Sequence, residues 1–391
     1  MNVSGRMCWL ALAAAGAAAL AAGRARGDEA LSLLQTIRNG EGAVTRMSGA
    51  PNCVRAHGPF VYVASPGGSS ITWFRRDRKT GLLSHAGDLS WKEKDYTNLL
   101  AFAGGRPDGT SFGRMYAAAS VSQYGRTVSK GLGWFDLDEK TGAPVEAGRV
   151  DCPAAVALEA GKAGENLYLK TNSRQGAGVA RFRIGAGGRI VQAETVTGKG
   201  LGYSAMASSV MQISPDGSHI YTISGADHAI GIVDKKEGGK LSYAGSVDLA
   251  VLAPKCDGEE GYRWPSLAIS PDGKFVYVNL WTYGQGPNVV GIFRRAEATG
   301  KLTFLCASDV PPAGKGLNMV FGAAGKAVYY GSLDAPMGWC RRDPATGKLT
   351  AGGAVAGTRG RSVYDLTIVR PAGSLYAAAW RDTLFVLKEE D

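Results

Sequence analysis

The sequence predicts an all-β chain folded as a seven-bladed β-propeller, its ring closed by an N-terminal strand that joins the last blade. Three observations predict it. A four-strand unit recurs along the chain. Its second strand carries a tyrosine at Tyr62, Tyr116, Tyr168, Tyr221, Tyr277, Tyr329 and Tyr376. The final unit then stops one strand short, and the segment LSLLQTI at 31–37 precedes the first unit.

The repeat is clearest at 211–245 and 267–308. Each window holds an apolar strand, a Pro-Asp-Gly turn, a Tyr-bearing strand, a variable loop, a third strand, a Gly-Lys-Leu turn and a fourth strand. The same order recurs around 60–87, 107–148, 166–194, 325–353 and 373–387. The second position of the third strand is small throughout: Thr72, Gly133, Ala180, Gly231, Gly291 and Gly338. Side chains alternate faces along a strand, so a small residue there is expected to admit a neighbouring sheet. The last unit needs an outer strand, and residues 31–37 supply it; closure leaves no open edge between first and last sheets. No window outside the N-terminal segment shows helical periodicity with caps.

Composition agrees. The 391 residues include 56 Gly and 16 Pro, suited to many tight turns, and 45% are hydrophobic. Residues 1–27 read as a secretory signal: Arg6, an apolar run from Met7 to Ala22, then small residues before Asp28. The expected domain is therefore 28–391, secreted or periplasmic, with no membrane span after cleavage. The full chain carries +10, and loss of Arg6, Arg24 and Arg26 leaves it mildly basic. Its cations are scattered, which argues against nucleic acid as a partner. Cys53, Cys152, Cys256, Cys306 and Cys340 remain, an odd number without C-x-x-C spacing. His57, His85, His219 and His228 are dispersed. No metal and no cofactor is expected.

Alternating strand direction puts the Pro-Asp-Gly and Gly-Lys-Leu turns on one face. Asp216 and Asp272 there are expected to bond their own backbones. The opposite face carries the irregular loops, where binding residues concentrate. Glu259, Glu260 and Arg263 form the densest charged cluster, a base beside a cation able to polarise a carbonyl. Arg359 and Arg361 precede the last unit and suit a clamp on an anion. Arg126, Arg174, His228, Trp281 and Tyr283 complete the expected binding surface for a small molecule, with an anion among the candidates. A protein partner stays open.

The phrases ISPDGKFVYV, VVGIFRRAEATGKLTFL and WCRRDPATGKLTAGG resemble the seven-bladed lactonase family, which includes propeller-type 6-phosphogluconolactonases. They also resemble YVTN-type surface and periplasmic propellers. The first resemblance implies hydrolysis of a sugar-type lactone at the channel mouth, by a carboxylic ester hydrolase. Relatives often carry His or Arg ahead of the strand entering the Pro-Asp-Gly turn. Here those stretches read Met206–Val210 and Trp264–Leu267, with Arg263 as an approximate match. Two expectations follow: a lactone hydrolase using Glu259 or Glu260 as base, or a non-catalytic binding or scaffold propeller.

Overall fold

The computed structural model describes residues 31–44, 46–47, 51–90, 97–104, 113–123, 126–161, 164–171, 177–202, 210–252, 263–281, 289–308, 310, 316–332, 335–370 and 372–389. Residues 1–27 lie outside them. Strands dominate the described residues, with three short 3-10 turns and no α-helix.

Seven four-stranded antiparallel sheets follow one another. Blade one is Cys53–His57, Phe60–Ser65, Ser70–Arg76 and Leu83–Ser90. Blade two is Thr97–Ala103, Arg114–Gln123, Arg126–Leu137 and Pro144–Val150. Blade three is Ala155–Ala160, Asn166–Thr171, Val179–Ile184 and Ile190–Val196. Blade four is Met211–Ile213, His219–Ser224, Ala229–Lys235 and Leu241–Asp248. Blade five is Arg263–Ile269, Phe275–Trp281, Val289–Arg295 and Leu302–Ser308. Blade six is Gly316–Phe321, Ala327–Ser332, Gly338–Arg342 and Leu349–Ala354. Blade seven is Val363–Val369, Ser374–Ala379 and Thr383–Glu389, with Leu31–Arg38 paired antiparallel to Thr383–Glu389 as its outer strand. The inner strand of each blade packs beside those of its two neighbours, and blade seven's packs beside blade one's.

The core lies between blades rather than inside any one of them. Phe60, Tyr62 and Ala64 pack with Leu100, Met115 and Phe135 of blade two. Val61 and Val63, on the other face of the same strand, pack with Tyr376, Leu384 and Val386 of blade seven. A second strand is therefore apolar on both faces, and FVYVAS is buried at every position. Outer strands such as Pro144–Val150 are largely exposed. In blades four and five the small third-strand residue makes room for the chain leaving the preceding blade rather than for a neighbouring sheet: Gly231 lies against Leu201 and Gly200, and Gly291 against Leu252.

Six of the seven tyrosines prove to be ties between blades. Tyr62 Oη donates to Gly142 O of blade two at 2.8 Å, and Tyr221 Oη to Gly300 O of blade five at 2.7 Å. Tyr116, Tyr168, Tyr277 and Tyr376 donate likewise to Gly188, Gly239, Gly347 and Gly81. Each acceptor glycine has a positive φ, between 66° and 78°, which an L-residue rarely adopts. Blade seven has no turn joining third to fourth strand, because its outer strand comes from the other end of the chain. Beside Tyr329's blade, Glu389 there accepts from Ala323 N instead.

The Pro-Asp-Gly turns share this face. Asp216 Oδ1 accepts from Ser218 N and Asp272 Oδ1 from Lys274 N, as expected of such turns. Their second oxygens do more. Asp216 Oδ2 meets Arg295 Nη2 at 2.5 Å, and Asp272 Oδ2 meets Arg342 Nη2 at 2.6 Å, each from the next blade. Arg295 Nε also donates to Tyr221 Oη. Tyr221→Phe should therefore cost more than Tyr62→Phe, roughly 2–3 against 1 kcal/mol, because it also leaves the buried Arg295 Nε without an acceptor. Urea unfolding of both variants checks this, and equal costs would contradict the role given to Arg295.

Candidate functional site

The inner-strand residues paired with the seven tyrosines occupy one level of the central channel: Arg55, Ala101, Glu159, Gln212, Ala268, Val320 and Thr367. The residues before them are Val54, Leu100, Leu158, Met211, Leu267, Met319 and Leu366, all buried in the interblade clusters. Alternation puts the first set on the tyrosines' face of each sheet, where Ala101 and Ala268 are buried between blades, while Arg55 and Glu159 keep partial exposure. Two of its members are charged, Arg55 and Glu159.

Arg55 is fixed at the seam where the ring closes. Its Nη1 donates to Asp365 Oδ2 of blade seven at 2.5 Å and to Val54 O at 2.8 Å. The same Asp365 oxygen accepts from Val54 N at 2.8 Å. Asn318 of blade six donates through Nδ2 to Asp365 Oδ1 at 2.7 Å and to Tyr364 O at 3.1 Å. Asp365 is nearly inaccessible, with 4% of its side chain exposed, whereas Arg55 keeps 27%. Burial works against the Arg55 charge, but Asp365 together with Cys53 and Glu159 outweighs it and holds the guanidinium protonated. Burial likewise pushes Asp365 above the usual carboxylate range, and Arg55 opposes that push.

Glu159 is the freer carboxylate. It is half-buried, with no hydrogen-bond partner among the described residues. Burial raises its pKa; Arg55 pulls it down and Asp365 pushes it up. A raised carboxyl within electrostatic reach of a fixed guanidinium can move a proton beside a group that stabilises developing negative charge.

A second group is unusual. Lys170 is the last residue but one of the second strand of blade three and is fully buried. Its Nζ donates to Gly202 O at 2.6 Å. Burial pulls its pKa down to about 8, against the charge of Asp227, whose Oδ2 accepts from Gly200 N and Gly202 N.

The residues singled out from sequence fall differently. Glu259, Glu260, Arg174 and Tyr283 lie outside the described residues. Arg263 opens the inner strand of blade five and Trp281 closes the next; they pair in register, although their side chains lie outside the described set. Arg126 opens a strand of blade two, its side chain also outside. His228 sits in a turn of blade four with φ +49°, and its carbonyl accepts from Leu249 N. Arg359 is exposed and Arg361 half-buried, just ahead of blade seven's inner strand. Sequence reasoning passed over Arg55, Glu159 and Lys170. The available signal was a charge inside an apolar strand, in CVRAH, AVALEA and NLYLKT. Among the described residues no cluster of His, Cys, Asp or Glu suits a metal ion.

The fold and its channel define a class, the seven-bladed β-propellers. Within that class, the solved structures similar to this chain include lactonase-like ones. A periplasmic gluconolactonase of Pseudomonas aeruginosa is similar at TM-score 0.60, with 16% identity over 90% of each chain. A candidate 6-phosphogluconolactonase of Bacteroides uniformis is similar at TM-score 0.59, with 18% identity over 83% of this chain and 95% of its own. The Cps50 (Swd1) propeller domain of Myceliophteria thermophila is similar at 0.57, with 13% identity over 90% and 98%. No family model and no curated protein matches the sequence.

Proposed function

We propose that the protein is an exported lactonase-like propeller that hydrolyses a sugar-type lactone in its central channel. The observation that carries this reading is the free, pKa-raised carboxyl of Glu159 within electrostatic reach of the fixed guanidinium of Arg55. Glu159 takes a proton from water, and the oxygen attacks the lactone carbonyl carbon. Arg55, whose Nε and Nη2 have no acceptor among the described residues, stabilises the oxyanion. The ring C–O bond then breaks, and the leaving oxygen takes its proton back from Glu159, giving a hydroxy acid. Glu259, Glu260, Arg263, Arg359 and Arg361 belong to the rim in this reading and select the substrate. The likeness to gluconolactonase and 6-phosphogluconolactonase propellers supports it, and the signal-like residues 1–27 support export.

The test is hydrolysis of a panel of aldonolactones in a pH-stat, with spontaneous opening subtracted. Glu159→Gln should lower kcat by about 10²–10⁴-fold. A general base must be ionised, so the wild-type rate should fall with falling pH through a pKa above the usual glutamate value. Full activity in Glu159→Gln with loss in Glu259→Gln or Glu260→Gln would move the base to the rim. A wild type inert on every lactone removes the reading.

One observation favours a second reading, a non-catalytic binding or scaffold propeller. Asp365 ties blades six, seven and one together through Asn318, Val54 and Arg55, which is reason enough for a buried charge at that place.

A further inference from the structure

Blade seven carries an aromatic platform on the loop-bearing face. Trp380 is 47% exposed. Its ring is tilted 54° to that of Tyr364 at a centroid distance of 6.0 Å. The loop that presents it is short and held on two sides: Trp380 N donates to Ser362 O, and Asn39 N donates to Asp382 O. Arg381 and Asp382 both have positive φ, 58° and 56°. Asp is at home in such a hairpin turn, whereas Arg381 takes this left-handed backbone at an energetic cost. The exposed Trp and the strained turn thus occur together.

The charge around the platform is positive. The Trp380–Ser362 bond sets Arg361 beside it, Arg381 follows it in the chain, and Arg359 lies two residues before Arg361. Arg359 and Arg381 are exposed and Arg361 is half-buried. None of the three guanidiniums has a carboxylate partner among the described residues, and Asp382 is the only acid next to Trp380 in the loop. A flat indole offers its face to the C–H face of a pyranose, and guanidinium forks match carboxylates. An acidic protein or an anionic lipid surface would meet the same cations, so both enter the test as competing ligands.

We propose that Trp380, Tyr364, Arg359, Arg361 and Arg381 form a binding site for an acidic carbohydrate, a uronate-bearing oligosaccharide. The site requires no turnover and stands whether or not the channel hydrolyses lactones.

The experiment is calorimetric titration of the protein with a short oligogalacturonate, together with its methyl ester, poly-glutamate and anionic phospholipid vesicles. The acid oligosaccharide should bind, with affinity falling as salt rises. The methyl ester should bind more weakly, and poly-glutamate and vesicles more weakly than the sugar. Trp380→Ala should weaken binding about tenfold, and Trp380→Tyr should recover part of the loss. Arg359→Ser with Arg361→Ser should flatten the salt dependence. An unchanged melting curve in each variant shows that the fold is intact. Equal binding by wild type and a folded Trp380→Ala overturns the proposal. So does poly-glutamate or vesicle binding as tight as that of the sugar, or no binding of the sugar at all.

Discussion

Replacing Asp365 by Ala is expected to destabilise the protein by about 3–5 kcal/mol, the cost of breaking a buried ion pair from one side. Asp365 accepts from Val54 N, from Arg55 and from Asn318 Nδ2, joining blades seven, one and six. Its loss leaves the Arg55 charge poorly compensated and a buried backbone N–H without an acceptor. Most of the cost is the stranded charge. The double variant Asp365→Leu with Arg55→Met should therefore recover a large part of the stability, because a well-packed apolar pair escapes the desolvation of two ions. Urea unfolding of wild type, both single variants and the double variant measures the coupling. A loss under about 1 kcal/mol in Asp365→Ala, or a double variant worse than the sum of the singles, would mean that the seam does not depend on this pair.

Lys170 carries the second large effect, of opposite sign. Its pKa is about 8 in the folded chain against the ordinary lysine value of 10.5. Between these values the unfolded chain binds the proton more tightly than the folded one. Stability from this group therefore rises with pH, from about pH 8 to about pH 10.5, by about 3 kcal/mol in all. Below pH 8 the penalty of the buried ammonium is present in full. Lys170→Met removes it and also the bond to Gly202 O, worth about 1 kcal/mol. The net expectation is a gain of about 2 kcal/mol at pH 7 and loss of the rise above pH 8. Chemical unfolding of both proteins at pH 7, 8, 9 and 10 checks this. A destabilised Lys170→Met with an unchanged pH profile would show that the ammonium is better compensated than by Gly202 O and Asp227.

The strands were legible because their signal is local. Alternation, Pro-Asp-Gly turns and the tyrosine count identify second strands such as FVYVAS and HIYTIS from neighbours within a few residues. The short last unit made LSLLQTI the natural partner, and Leu31–Arg38 does pair with Thr383–Glu389. The meaning of the tyrosines was not legible. Tyr62 bonds a carbonyl 80 positions away, and Tyr376 one 295 positions away. Glu159 and Arg55 gave little sign of sharing a channel level for the same reason. Charged loop residues such as Glu259 and Arg263 drew attention because they cluster in sequence, while the channel charges are dispersed one to a blade.

By itself, the amino-acid order determined the repeating unit, the seven blades and the turn chemistry, since each depends on dihedral preference and burial pattern over short stretches. Tertiary structure alone decided which side chains meet: Asp365 with Arg55 across the seam, Asp216 with Arg295 between blades, Trp380 with Tyr364. Those encounters depend on how each twisted sheet lies against the next around the axis. That arrangement is set by packing summed over all seven interfaces, and no local window of residues contains it.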